Sequence, residues 1–225
     1  MDASSEEIIE RADALYAARA RLENVRLSVE LLETAAASDH YEAAWRRGRA
    51  LFFLGQETHQ RDEARAYHRA GAQASGRAAH IKPERVEGRF WLGVNLALRA
   101  RLENPFNALR LALRARRELE RAASLDPAYH AAGPLRVLGR LEHKLPRWLG
   151  GGQRRARANF ERAIEIAPAN TVTRLYFAEL LLETGETVHA RAQLEAIMNT
   201  PHDPAWAFEI ERDQRLARKL LQEWK

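Results

Sequence analysis

The sequence predicts an all-α protein: a helical-repeat solenoid of about five helix pairs closed by one further helix. Three observations carry this. A small residue recurs at the head of a stripe, with partners at offsets 4 and 7 and a proline at offset 12. Only 12 Gly and 8 Pro occur in 225 residues, too few for a chain that turns every ten residues as all-β proteins do. Apolar residues make up 46% and charged residues 30%, which suits a globular chain with long solvated helices better than disorder.

The stripe is clearest at Ala156, Phe160 and Ala163, followed by Pro168. It returns at Ala115, Leu119, Ala122 and Pro127, and at Ala190, Leu194 and Ile197, with His202 in the proline slot. Weaker copies start at Ala64 (His68, Gly71) and at Ser28 (Leu32, Ala35, then His40). Offsets of 4 and 7 lie on one helix face. The small first residue lets a neighbouring helix come close, and the proline ends the run. A preceding helix shows a large residue, two spacers, an apolar residue and a small one: Arg89-x2-Leu92-Gly93, Leu135-x2-Leu138-Gly139 and Arg174-x2-Phe177-Ala178. Glycine inside a helix costs about 1 kcal/mol relative to alanine, so its return points to close helix contact.

The elements follow in order. Helix pairs are expected at 5–20 with 24–37, 41–55 with 61–79, 84–101 with 106–124, 129–144 with 153–167, and 171–184 with 187–199. Asn104-Pro105 is a turn and cap signal before the sixth helix, Asp126-Pro127 and Ala167-Pro168 end stripes, and Gly185 closes the ninth helix. His143 to Gln153, with Gly150-Gly151-Gly152, lengthens one turn. After Pro204 a last helix, about 205–224, brings Trp206, Phe208, Ile210, Leu216, Leu220 and Leu221 to cover the open end, as a solenoid requires. The whole reads as one domain, residues 1–225.

These stripes resemble the tetratricopeptide repeat. The strongest copy is 170–202, with Phe177, Ala178, Leu181, Gly185, Ala190, Leu194 and Ile197 in family slots. The first signature slot, tryptophan in the family, holds Ala44, Arg89, Leu135 and Arg174 here. The fragments Phe90-Trp91-Leu92-Gly93-Val94-Asn95-Leu96, Gly133-Pro134-Leu135-Arg136-Val137-Leu138-Gly139-Arg140 and Leu145-Pro146 before the glycines resemble a narrower bacterial group. That group is the T component of tripartite ATP-independent periplasmic (TRAP) transporters. The resemblance implies a right-handed array and a periplasmic, often lipid-anchored protein. It also implies service to a solute-binding protein, with a ligand-accessible channel.

The charge is +5 overall but uneven: residues 1–40 carry −5 and residues 110–162 carry +8. Thirty-two of the 36 basic residues are Arg. A basic middle could attract nucleic acid or another polyanion, yet only Tyr129, Trp148 and Phe160 interleave it, thin for a base-stacking platform. A solvated arginine face is the competing reading. No apolar run reaches the roughly 18–20 residues of a membrane span, and the start Met1-Asp2-Ala3-Ser4-Ser5-Glu6-Glu7 lacks a signal-peptide pattern. A soluble protein of the bacterial cytoplasm or periplasm is expected.

Catalytic patterns are missing. The absence of Cys excludes disulfides, thiol catalysis and Cys-zinc sites. The eight His show no HExxH spacing, and there is no GxSxG, GxGxxG or phosphate-loop motif. The expectation is no enzyme, no metal and no cofactor. Binding is the favoured class. In tetratricopeptide arrays the first helix of each pair lines a concave groove. That selects Trp45, Arg49, Phe52, Phe53, Phe90, Val94, Arg136, Arg140, Arg174, Leu175 and Glu179. Arg136 and Arg140, one turn apart, could grip one carboxylate or phosphate, and Trp45 and Phe90 could anchor apolar side chains. Trp148, beside Arg147, is the candidate binding element of the insertion, set against the weightier reading that it folds back onto Leu145 and Leu149. The expected partner is a protein or peptide: a solute-binding protein, a second copy of the chain, or another. The Lys/Asn pattern of the chaperone-tail carboxylate clamp is absent.

Overall fold

Ser4 starts the first helix by a reciprocal cap. Its hydroxyl accepts from the Glu7 N–H, and the Glu7 carboxylate accepts from the Ser4 N–H. The computed structural model describes residues 4–36, 40–149 and 151–223, and within them eleven α-helices and no strand. These are α1 Ser5–Ala17, α2 Leu22–Ala36, α3 Tyr41–Glu57, α4 Arg61–Ile81, α5 Val86–Ala100, α6 Pro105–Leu125, α7 Tyr129–Lys144, α8 Gln153–Ile166, α9 Thr171–Glu183, α10 Thr187–Met198 and α11 Ala207–Glu223. Each limit lies within three residues of its expected place. Asn104 caps α6 by accepting from the Asn107 N–H, with Pro105 in the first helical position. Gly185, at φ +80°, ends the turn after α9, and the Glu186 N–H reaches back to the Leu181 carbonyl at 2.8 Å.

The sequence reads as one domain, and the chain divides at Asp126–Pro127 into two compact units, residues 1–126 and 127–225. The first holds three helix pairs, α1/α2, α3/α4 and α5/α6. The second holds α7/α8, α9/α10 and α11.

Contacts follow the repeat logic in each unit. Within the first unit, α1 touches α3 and α3 touches α5, so the first helices of the pairs form a layer. The second helices α2 and α4 each pack between the first helix of their own pair and that of the next. The stripe heads Ala115, Ala156 and Ala190 are fully buried. The glycines opposite are tight: a Cβ on Gly93 would stand 2.6 Å from Leu119 Cγ, and one on Gly139 would stand 2.7 Å from the Phe160 ring. Each glycine is filled by the residue four positions after a stripe head.

In the second pair the structure corrects the stripe head from Ala64 to Gly71. Gly48 of α3 is the counterpart of Gly93 of α5, and its missing Cβ would lie 1.9 Å from Ser75 Oγ and 3.2 Å from the Gly71 carbonyl. Gly71, Ser75 and Ala78 therefore form the stripe, and Pro83 takes the proline slot at offset 12. Successive heads at Ser28, Gly71, Ala115, Ala156 and Ala190 are then 43, 44, 41 and 34 residues apart. The Ala64-His68 set is a second buried turn of the same long helix. His68 fills the space left by Gly55, where a Cβ would stand 2.5 Å from its ring.

The second unit is closed by α11. Ala217 is fully buried with Leu175, Ala178, Leu194 and Ile197, and Leu220 and Leu221 pack against this cluster. Leu216, expected in the same seal, is 42% exposed because it lies on the outer side of α11. At the other end of the unit α7 is irregular. His130, Ala131 and Ala132 have φ of 52°, 53° and 56°, a left-handed turn that L-residues rarely adopt, and the helix is right-handed from Gly133 onward.

Candidate functional site

The residues selected for a groove sort into three environments. Those on α3 form a cluster with α1. Asp13 of α1 accepts from Arg46 Nε at 2.7 Å and from Arg49 Nη2 at 2.6 Å. The Arg46 guanidinium lies 4.2 Å from the Trp45 ring centre and that of Arg49 lies 4.0 Å from the Tyr16 ring centre. Trp45 is buried and its indole N–H donates to Glu42 at 2.9 Å. Burial disfavours the Arg46 charge, but the hydrogen bonds to Asp13 and Glu42 outweigh it and raise the group above its ordinary range. The cluster is therefore a set of half-buried arginines sandwiched between rings and two carboxylates, Asp13 and Glu42. Sequence reasoning misses Asp13 and Tyr16. They stand on α1 outside any recurring stripe, and only the α1–α3 contact brings them in.

Phe90 is 1% exposed, packed edge-on against Trp91 with ring centres 4.8 Å apart. It belongs to the core of the first unit and offers no surface to a partner.

Arg136 and Arg140, one turn apart on α7, do not point at a common ligand. Arg140 pairs with Glu179 of α9 and lies 4.4 Å from the Tyr176 ring centre, a half-buried Arg–ring–acid set like that on α1 and α3. Arg136 is 5% exposed. Its Nη1 donates to the Ala131 carbonyl at 2.8 Å, to the His130 carbonyl at 3.4 Å and to Asn170 Oδ1 at 3.3 Å. Burial lowers its guanidinium to about 10. This arginine is bound to the carbonyls of the left-handed turn, and so it holds the start of α7 in place. Asn170 shares that duty, since its Oδ1 also caps α9 at the Thr173 N–H, 2.9 Å.

Arg174 likewise holds structure: Nε donates to the Pro168 carbonyl at 2.8 Å and Nη1 to Gln193 at 2.7 Å. Trp148 does not fold back. It lies on a short 3-10 turn, Arg147–Leu149, and is 80% exposed. Gly150 and the side chain of Leu149 lie outside the described residues. In the basic segment Arg116 pairs with Glu120, and Arg157 with Glu161 and Glu186. Among the described residues no group of three His, Asp or Glu could hold a metal, and no helix is long and apolar enough to cross a membrane.

Comparison with known proteins matches this architecture. A thermophilic tetratricopeptide repeat protein of Thermus thermophilus superposes with a TM-score of 0.68 at 19% identity, over 94% of this chain and 99% of that one. A second solved structure, the assembly chaperone of RpL4 (Acl4), gives a TM-score of 0.46 at 18% identity, over 90% of this chain and 79% of that one. No curated protein matches the sequence. The model of the TRAP transporter T-component family matches residues 29–225. The all-α tetratricopeptide-like fold and the extent of this match lead to one conclusion: the chain belongs to the TRAP transporter T-component family.

Proposed function

We propose that the protein is a non-catalytic helical-repeat scaffold that holds a protein or peptide partner on the layer formed by the first helices of its pairs. One observation supports this most. Each unit carries the same device on its own first helices, an arginine backed by an aromatic ring and held by a carboxylate of the neighbouring first helix: Arg49 with Tyr16 and Asp13, and Arg140 with Tyr176 and Glu179. Such arginines are already ordered before a partner arrives. They lose little conformational entropy on binding, and arginine and tyrosine are the residue types that dominate binding hot spots. Family membership favours a solute-binding protein of a TRAP system as the partner.

The test is affinity between the purified chain and a solute-binding protein of a TRAP system. Arg140→Glu with Tyr176→Ala removes the arginine and the ring of the second device and leaves the buried Arg136 in place. Binding is expected to weaken at least tenfold, on the order of one hot-spot loss of 2 kcal/mol, with unchanged helicity by circular dichroism. Equal affinity for the variant and the parent would defeat the assignment of this face.

A further inference from the structure

We infer that the outer face of α6 is a seat for a bilayer surface that carries anionic phospholipid. Arg110, Arg114, Arg117 and Arg121 are all exposed. Their offsets of 4, 7 and 11 place them on one side of the helix, over about 17 Å of its length. The stripe Ala115, Leu119 and Ala122 is fully buried and lies on the far side, where a Cβ on Gly93 of α5 would meet Leu119 and the Ala115 carbonyl. Within its unit, and among the described residues, α6 packs on α5 alone. The arginine row is the outward side of a helix anchored from behind.

The row is uncompensated. Among the described residues none of the four arginines has an ion pair. The two acids of α6 are both held by arginines outside the row, Glu118 by Arg89 at 2.8 Å and Glu120 by Arg116 at 2.9 Å. The exposed face of α8 differs, since it mixes Arg154, Arg155 and Arg162 with Glu161 and Glu165.

A second feature of the same face decides what the charges meet. Phe106 is 79% exposed and Leu113 37%. With the half-buried Leu109 they form a row at offsets 3 and 7 that runs along one edge of the arginines. Exposed apolar side chains beside a row of cations suit a helix lying in a membrane interface, with its cations among the phosphates and its apolar edge at the acyl boundary. A nucleic acid would use the arginines but leave Phe106 and Leu113 in water, and a single ring is no stacking platform. A bilayer uses both rows. Each cation near an anionic surface strengthens binding on the order of fivefold, and Phe106 adds to this by burial. The inference is independent of the partner-binding face, because α6 is the second helix of its pair.

The experiment sediments the full chain with vesicles of phosphatidylglycerol and, separately, of phosphatidylcholine at low salt, beside a gel shift with a short DNA duplex. Binding to phosphatidylglycerol alone is expected, and it should fall as salt is raised. Arg114→Gln with Arg117→Gln should weaken it roughly twentyfold, and Phe106→Ser about fivefold. These positions are exposed and glutamine is a good helix former, so the fold is retained. Arg215→Gln with Arg218→Gln removes the same charge from exposed positions on α11 and should leave binding nearly unchanged. Absence of binding to phosphatidylglycerol, an equal loss in the α11 variant, undiminished binding after Phe106→Ser, or a shift of the DNA in place of vesicle binding would each overturn the assignment.

Discussion

The α3–α4–α5 seam of the first unit and the α7–α8–α9 seam of the second make the same close helix approach with opposite chemistry. In the second unit one ring does the filling. Phe160 is fully buried against Gly139, and its ring centre lies 5.9 Å from that of Phe177. In the first unit the space beside Gly48 and Gly55 is filled by Ser75 and His68. His68 Nδ1 lies 3.3 Å from Asn95 Oδ1, and Asn95 Nδ2 donates to the Gly48 carbonyl at 3.1 Å and to the Trp91 carbonyl at 2.9 Å. A glycine on the first helix therefore demands something of the right volume opposite, and leaves its polarity open. An apolar filler contributes by burial. A polar filler buries groups that need partners: His68, through Asn95, ties α3, α4 and α5 into one hydrogen-bonded unit, whereas the Ser75 hydroxyl is buried without a hydrogen-bond partner.

The sharpest way to break the comparison is to empty the aromatic seam. Phe160→Ala should destabilise the second unit by about 3–5 kcal/mol, since the transfer loss and the cavity add and backbones separated by a glycine cannot collapse further. Urea unfolding followed by circular dichroism measures it, with the first unit's transition as an internal reference. A loss under about 1 kcal/mol would mean that the ring does not hold the seam.

The polar seam should yield less. Asn95→Ala leaves the Gly48 carbonyl and His68 Nδ1 without that partner, a cost of about 1–3 kcal/mol. The effect should not add to that of His68→Leu, because both substitutions remove the same bond. A double-variant cycle in urea checks this, and strict additivity would show that the two side chains act separately.

Much of the fold is legible because period and size are written in the sequence. Ala115, Ala156 and Ala190 are buried where a stripe of offsets 4 and 7 puts them. The second stripe lies seven residues beyond its expected head because α4 is long enough, at 21 residues, to bury two successive turns. Ala64-His68-Gly71 and Gly71-Ser75-Ala78 have the same spacing, and spacing alone cannot rank them; Pro83 at offset 12 is the signal that does. The site is less legible. Arginine is ordinarily a surface residue, so Arg136 and Arg140 look alike in sequence. What separates them is the left-handed turn at His130–Ala132, whose carbonyls face Arg136, and no local rule forecasts three such residues without a glycine. Trp148 stands in a loop with no periodicity, so its exposure has no pattern to betray it.

The smallest expected effect is a difference in pH response between the two seams. Burial pushes the His68 imidazole below its ordinary range, and the Arg101 charge acts in the same direction, against the hydrogen bonds to Asn95 and Gly55. In the unfolded chain the ring takes its proton near the ordinary value of about 6.5, and in the folded chain only at lower pH. Between those points the unfolded state binds more protons, so stability rises with pH. The contribution is complete above about pH 6.5 and is lost as the pH falls toward the folded value. Phe160 carries no titrating group, so the aromatic seam adds no such slope. Comparing urea midpoints of the parent and His68→Leu from pH 7.5 down to pH 5 isolates the term: the parent should lose ground that the variant does not. Parallel curves would mean that this ring keeps its ordinary protonation inside the seam, and that the polar filling of α3, α4 and α5 is no more pH-sensitive than a phenyl ring.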